Sequence, residues 1–228
     1  MAGADSSAAG NIPARTLSNR PARSRSAPAW VLPHEPTPVR LMNTVWADRY
    51  GVYDALTSRG DLAGWLAATG LAASGSPLND DDLARFRELR DALRRLAALV
   101  TADDARPAAE SAIPDATAAV AVLNAAAVAV SPAAPRLQLL GGALTRDVAP
   151  SGPPVAVARA ALAAEAIELL SGETSPRLRA CQAPGCVLYF VKDHPRREWC
   201  STACGNRARA ASYYRRHRAA TVTDSETR

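Results

Sequence analysis

The chain has 228 residues, enough for one medium-sized domain with a buried core and a small appended module. Its net charge is +5, but ten basic and only two acidic residues lie between 177 and 218, so that segment carries +8 and the rest about −3. No apolar run approaches the length of a membrane-spanning helix, and no secretory type of leader follows the amino terminus. We therefore expect a cytoplasmic protein without a membrane segment, whose basic end contacts a polyanion.

Residues 1–38 are rich in Ala, Ser, Pro and Arg and contain few large apolar residues. Such a segment cannot build a core, so it predicts a disordered tail. Organellar transit peptides have a similar composition, but the segment lacks the amphipathic pattern of that alternative.

A helical body is predicted over residues 39–173. Asp61 precedes a short helix that Gly70 is placed to end, and the clearest helix runs from Asn79 to about Val100. Its apolar residues recur at spacings of three and four, and charged residues fill the other positions. We expect those charges to form a solvated face.

The second half of the body combines helices with one hairpin. Residues 115–130 are rich in Ala and Val and predict a buried helix, although their β-branched content leaves a strand possible. Segments 136–140 and 143–148 flank two glycines and predict a small hairpin, and 155–170 predicts a further helix. The expected class is mainly α with a small β-hairpin (α+β).

All the cysteines of the chain lie in the basic segment, as Cys181-x4-Cys186 and Cys200-x3-Cys204 separated by thirteen residues. Two close pairs held apart by a hairpin-length segment can surround one tetrahedral zinc ion, and in a reducing compartment paired thiols are more often metal ligands than disulfides. Four thiolates leave no open coordination position, so the expected zinc is structural. Disulfides are the alternative, and His194 is a competing ligand that we interpret as a turn residue.

The cysteine segment predicts a compact finger. Residues 187–191 are expected to form a strand, 193–195 a turn and 197–200 the returning strand, after which Ser201 caps a helix that runs to about residue 218. A knuckle, a hairpin and a helix that carries the last ligand resemble a treble-clef zinc finger, here over 177–218. Residues 219–228 are expected to be a disordered tail.

The final helix has a polar face that suits DNA. At 100° per residue, Cys204, Ala208 and Ala211 face the metal, while a stripe of larger polar residues lies opposite. That stripe consists of Asn206, Arg209, Tyr213 and Arg216. Arginines can contact phosphates or guanine edges, and asparagine can pair with adenine. The alternative is a basic terminal helix that is merely solvated.

These residues also carry a family resemblance. The C-x4-C pair, followed by Trp199-Cys200-Ser201 and Cys204-Gly205-Asn206-Arg207, resembles the CGNR-type zinc finger over 177–218. In that family the finger closes a bacterial protein whose amino-terminal ABATE domain is named as a stress-induced transcription regulator. Asn43-Thr44, 62–66 and the layout through 170 resemble this domain more loosely.

The resemblance implies one structural Zn²⁺ held by the four cysteines, DNA binding by the finger and a role in transcription. The candidate DNA contacts are Asn206, Arg207, Arg209, Tyr213, Arg216, Arg196 and Arg197. One of the two motif residues after the last ligand could instead be structural, with Asn206 fixing the helix start or Arg207 pairing with the hairpin.

The leading hypothesis is therefore a zinc-dependent, DNA-binding transcription regulator whose helical body senses a small-molecule effector or forms a homodimer. The alternative is a zinc-held protein-interaction module without nucleic-acid binding. We expect no enzyme, because the body has no Gly-rich phosphate loop and no cysteine, and its one histidine, His34, falls in the predicted tail.

Overall fold

The computed structural model describes residues 32–48, 51–71, 77–103 and 111–225, and is about 52% helical. This confirms the expected class, a helical body with small β-hairpins followed by a finger. The described α-helices are α1 Thr37–Met42, α2 Arg59–Thr69, α3 Asp80–Val100, α4 Ala116–Ala127, α5 Pro154–Ser171 and α6 Thr202–Ser225. The strands are β1 Val45–Asp48, β2 Gly51–Asp54, β3 Ser131–Leu140, β4 Ala143–Ser151, β5 Leu178–Ala180 and β6 Tyr189–Val191, paired antiparallel in that order as three hairpins.

The helix starts follow local capping chemistry. The Ser58 hydroxyl accepts from the backbone N–H of Asp61, whose carboxylate accepts from the backbone N–H of Ser58, so Asp61 lies inside α2 rather than before it. Asn79 and Asp82 form the same reciprocal box at the start of α3. Gly70 ends α2 with a φ of 72°, which only glycine adopts without strain. The sequence thus predicts the ends of α2 and α3 to within about three residues.

The core of the body lies between α1, α3, α4 and α5. The apolar face of α3 contributes Phe86, Leu89 and Leu93, all almost fully buried, and α5 contributes Leu162. The Ala- and Val-rich segment is a helix, which settles the alternative of a strand: α4 begins after Asp115, whose carboxylate caps it. Small residues on α4 and α5 let these helices pack closely.

The charges on α3 are not all solvated, and this prediction was wrong for two arginines. Arg90 and Arg94 are buried, with only 4% and 1% of their surface exposed. Arg90 pairs with Asp54, the last residue of β2, and its own neighbour Asp91. Arg94 reaches towards the carboxyl-terminal module. Both lie on the buried side of α3, because residues four apart share one side of a helix: Arg90 follows the buried Phe86 by four residues, and Arg94 follows Arg90 by four.

The hairpin β3–β4 confirms the predicted turn and extends the predicted strands. Gly141 and Gly142 have φ values of 58° and 83°, as a two-residue turn with positive φ at both positions requires. The register pairs Leu140 with Ala143 beside the turn and continues to Ser131 and Ser151.

Described structure extends into both of the segments that were predicted to be tails. Residues 32–38 are ordered, with Glu35 and Pro38 buried and α1 beginning at Thr37. At the other end α6 continues to Ser225. Residues 1–31 and 226–228 lie outside the described residues. Across the described helices, no segment is both long and apolar enough to cross a membrane.

Candidate metal centre and its contact with the helical body

The four cysteines converge on one point. Their Sγ atoms lie within 4.8 Å of one another, with Cys186 and Cys200 at 3.8 Å and Cys200 and Cys204 at 3.4 Å. Four sulfurs bound tetrahedrally to zinc at 2.3 Å would be about 3.8 Å apart, so the set is close to the arrangement that the ion requires. All four side chains are buried, and none is in a disulfide. They therefore hold a single structural zinc.

Two local turns orient the cysteine side chains towards the metal position. In the first pair, Gly185 has a φ of 71° and the N–H of Cys186 donates to the carbonyl of Ala183, which closes a tight knuckle. In the second pair, the Ser201 hydroxyl accepts from the N–H of Cys204 in the first turn of α6. Ser201 thus fixes the helix start, a role that was open for Asn206.

Hydrogen bonds among the four sulfurs raise the pKa of Cys186 and Cys200 and lower the pKa of Cys181 and Cys204, so the thiolate form is favoured at two of the four ligands. The pKa of Cys181 is lowered to about 7, chiefly by a hydrogen bond from the Cys186 thiol. The pKa of Cys204 is also lowered, first through its hydrogen bond with Cys181. In addition, an N–H of Arg207 lies 3.2 Å from Cys204 Sγ and donates to it. Arg207 therefore supports a ligand, and does not pair with the hairpin.

The finger hairpin differs from the predicted one. β6 pairs with β5, which lies before the first ligand, and 192–201 contain no strand. The expected returning strand at 197–200 is wrong because the edge it would occupy is already satisfied by side chains.

The outer edge of β6 is completed by three side chains. Asn43 donates to the carbonyl of Tyr189 and accepts from its N–H, both at 2.9 Å, so one amide replaces a neighbouring strand at this residue. At Val191, Glu35 accepts from the N–H at 2.8 Å and Arg197 donates to the carbonyl at 3.0 Å. Glu35 and Arg197 also form an ion pair with each other. Two of these side chains, Glu35 and Asn43, come from the body.

Arg94 adds a further connection between the finger and the body. Its guanidinium donates to the carbonyl of Met42 at the end of α1 and to the carbonyl of Val187 after the first knuckle. The group also lies 5.6 Å from the centre of the Tyr189 ring. Alternate residues of this segment, Val187, Tyr189 and Val191, join the core of the body, whereas Leu188 and Phe190 pack around the cysteines. The finger and the body therefore share a single packed structure.

Sequence reasoning missed Glu35, Asn43 and Arg94 as determinants of this contact. The available clues were the spacing of Arg90 and Arg94 within the apolar face of α3 and the presence of Asn43 among the residues that resemble ABATE. No local pattern indicates what Glu35 or Asn43 contacts, because their partners lie more than 140 residues away in the chain.

The seven candidate DNA contacts fall into two groups. Arg197 and Arg207 are engaged inside the finger: Arg197 also lies 4.9 Å from the centre of the Phe190 ring. The other five are exposed, as is Arg207 despite its contact with Cys204, and over residues 202–217 of α6 only Cys204, Gly205 and Ala208 are buried. This second group consists of Asn206, Arg209, Tyr213, Arg216 and Arg196.

The amino end of α6 borders a shallow depression of about 410 Å³. Its lining includes Arg196, Trp199, Thr202 and Arg209. Arg209 donates to the Oδ1 atom of Asn206, whereas no hydrogen bond or ion pair within the described residues engages the side chains of Arg196 or Arg216. Helix dipoles favour anions at this end, so the depression and its arginines form a positive region.

Two family profiles match the chain and together cover most of it. Residues 35–173 match ABATE, described as "Putative stress-induced transcription regulator", and residues 177–217 match the CGNR zinc finger. No curated protein matches the chain.

Proposed function

We propose that this chain, which belongs to the ABATE family and ends in a CGNR zinc finger, is a zinc-dependent, DNA-binding transcription regulator of the cytoplasm. In this proposal α6 contacts DNA, while the helical body acts by self-association or by binding a small-molecule effector. Zinc holds the finger in shape, and no enzymatic step is involved.

The observation that carries the proposal is the exposed basic face of α6. Asn206, Arg209, Tyr213 and Arg216 lie on this face, and none is covered by the body. Arg196 extends the positive region beside the amino end of the helix. Guanidinium groups in such a position suit phosphate oxygens, and the helix itself has the diameter that the major groove admits.

The test is fluorescence anisotropy with a mixed-sequence DNA duplex over a salt series, because phosphate contacts do not depend on sequence. We expect binding that weakens steeply with salt. The double variant Arg209→Glu/Arg216→Glu should lower the slope of log affinity against log salt by about 2, one unit for each phosphate contact.

The matched control is Arg59→Glu/Arg85→Glu, which makes the same change in charge at two exposed positions on the body. Its DNA affinity should fall much less than that of the α6 variant. An absence of DNA binding at low salt, or equal losses in the two variants, would refute the proposal.

A second candidate is a protein-docking finger, favoured by the aromatic side chains on α6. Tyr213 and Tyr214 are 53% and 70% exposed, and their rings contact each other edge to face. Exposed tyrosines are common at protein interfaces. This candidate predicts that charge reversal at Arg209 and Arg216 leaves every DNA assay unchanged, whereas Tyr214→Ala removes a protein partner.

A further inference from the structure

The hairpin β3–β4 has one apolar face that nothing in the described structure covers. Cross-strand partners lie on the same side of an antiparallel pair, and the register matches Leu139 with Leu144 and Pro135 with Val148. We define the apolar hairpin face as Leu137, Leu139, Leu144 and Val148. These four residues are 52 to 73% exposed, the largest group of exposed large apolar residues along the described chain.

The opposite face of the hairpin carries Leu140 and Ala143 beside the turn and is polar at the next two cross-strand pairs. The register places Arg136 beside Asp147 and Gln138 beside Thr145, and the Gln138 amide donates to the Asp147 carboxylate at 2.9 Å. Such alternation is typical of strands with one face in water and the other against a protein core. The polar face of this hairpin can lie in water, but no protein core in the described structure packs against the apolar face.

We propose that the apolar hairpin face binds the same face of a second copy of this chain, which makes the protein a homodimer. The inference rests on the self-association that the proposed function assigns to the body. It specifies the surface, whereas the DNA proposal concerns α6.

The first argument for a second copy is self-complementarity. A two-fold axis parallel to the strands, running between the two faces, places β3 of one hairpin over β4 of the other. Leu139 then meets the partner's Leu144, and Leu137 meets the partner's Arg146. Arg146 is the one charged residue among the cross-strand partners of this face, and the arrangement keeps the two Arg146 side chains from facing each other. The stem of Arg146 can lie along a leucine while its guanidinium reaches water.

The second argument is area. At 52 to 73% exposure, the four side chains present roughly 450 Å² to solvent, within the range of the largest patches on soluble monomers, which are often functional. Two such faces, with the backbone between them, would bury about 1,000 Å² in total, the lower limit for a specific interface. We therefore expect a dimer that dissociates in the micromolar range.

The third argument is the hairpin itself. Two-stranded hairpins are marginal in water unless they pack on something else. In the described residues β3 and β4 pair only with each other, over ten and nine residues. Stacking two hairpins creates a four-stranded, two-layer unit with a dry interior, which supplies what each hairpin lacks alone.

The test is sedimentation velocity of the full chain, without DNA, over a series of protein concentrations. The expected mass rises from the 23.9 kDa of one chain to a plateau at twice that value. Leu144→Glu should raise the dissociation constant by at least about tenfold, because it buries an unpaired carboxylate at the interface. The neighbouring variant Thr145→Glu adds the same charge on the polar face and should dimerise like the wild type.

Zinc content and circular dichroism show that each variant is folded. A wild-type chain that stays monomeric, with this face left for one of its own segments or another protein, would overturn the inference. So would equal weakening by the two variants, or a mass that rises past two copies without a plateau, which would indicate pairing through strand edges. None of these results affects the DNA test on α6, so the two proposals can fail separately.

Discussion

Replacement of Asn43 by alanine tests how the body holds the finger. The Asn43 amide makes two hydrogen bonds to the backbone of Tyr189, one as donor and one as acceptor, in a region with no exposure to solvent. Asn43→Ala removes both and leaves the N–H and carbonyl of Tyr189 buried without these partners. The other two side chains on this edge of β6, Glu35 and Arg197, bind the backbone of Val191 instead.

The expected cost follows from that geometry. Each buried backbone group left without a partner costs about 1 to 3 kcal/mol, and water entering the vacated space recovers part of this. We expect a total loss of about 2 to 4 kcal/mol, a large fraction of the 5 to 15 kcal/mol that stabilises a typical protein. For a chain of this length the melting temperature should fall by about 5 to 15 °C.

The assay is urea unfolding followed by circular dichroism, together with the rate of zinc transfer to a chromogenic chelator. Because Tyr189 lies three residues after the ligand Cys186, zinc transfer should be faster in Asn43→Ala. The matched control is Asn124→Ala on the exposed side of α4, which should change stability by no more than about 0.5 kcal/mol.

A second variant separates lost hydrogen bonds from lost volume. Asn43→Asp keeps the volume and can accept from Tyr189 N–H, but its carboxylate cannot donate to the carbonyl and repels it. It should be at least as unstable as Asn43→Ala. Wild-type stability in Asn43→Asp, or a loss in Asn43→Ala no larger than in Asn124→Ala, would refute the reasoning.

Three further predictions follow from the same contacts. Glu35→Gln removes a charge from a carboxylate whose side chain is 4% exposed and paired with Arg197, so urea unfolding should show a loss of about 2 kcal/mol, and an unchanged midpoint would contradict the structural role of the pair. Gly205→Ala places a Cβ 3.0 Å from the Trp199 ring and should destabilise the protein by about 1 to 2 kcal/mol. Gly64→Ala, whose Cβ would have nothing within 4 Å, should stabilise it by up to about 1 kcal/mol. Thermal melts in which the two variants shifted the melting temperature in the same direction would contradict this packing. Elemental analysis should find one zinc per chain. Its removal by a strong chelator should lower the melting temperature, while α3 and α5 keep most of the helical circular dichroism signal. Full helicity with an unchanged melting temperature would exclude a structural zinc.

The metal centre was predictable from sequence because its information is local. Two short cysteine spacings, a glycine in the knuckle and a serine before α6 each act within a few residues. The same holds for the capping residues of α2 and α3 and for the glycine turn between β3 and β4. Within each capping box and each cysteine pair the partner is three to five residues away, and the two pairs are joined by one short segment, so the sequence around them is enough for the prediction.

The contact between finger and body was not predictable in this way. Asn43 and Glu35 are ordinary polar residues in their local sequence, and their importance arises only when β6 lies beside them. The returning strand at 197–200 was predicted to follow a turn at 193–195, yet side chains occupy its place beside β6. Arg197 was a reasonable DNA candidate by charge, and only the structure reveals its acidic partner. A polar contact between residues that are far apart in the chain leaves no periodic pattern in the sequence from which it could be predicted.

The completed edge of β6 limits how this finger can be reused. A module that evolution or an engineer moves between proteins must carry its own hydrogen-bond partners, and this one takes several of them from the body through Glu35, Asn43 and Arg94. Transplanted alone, residues 177–217 would present a bare strand edge beside an exposed apolar side of β6. The finger therefore depends on its body, and a new host protein would have to supply the same hydrogen-bond donors and acceptors to β6.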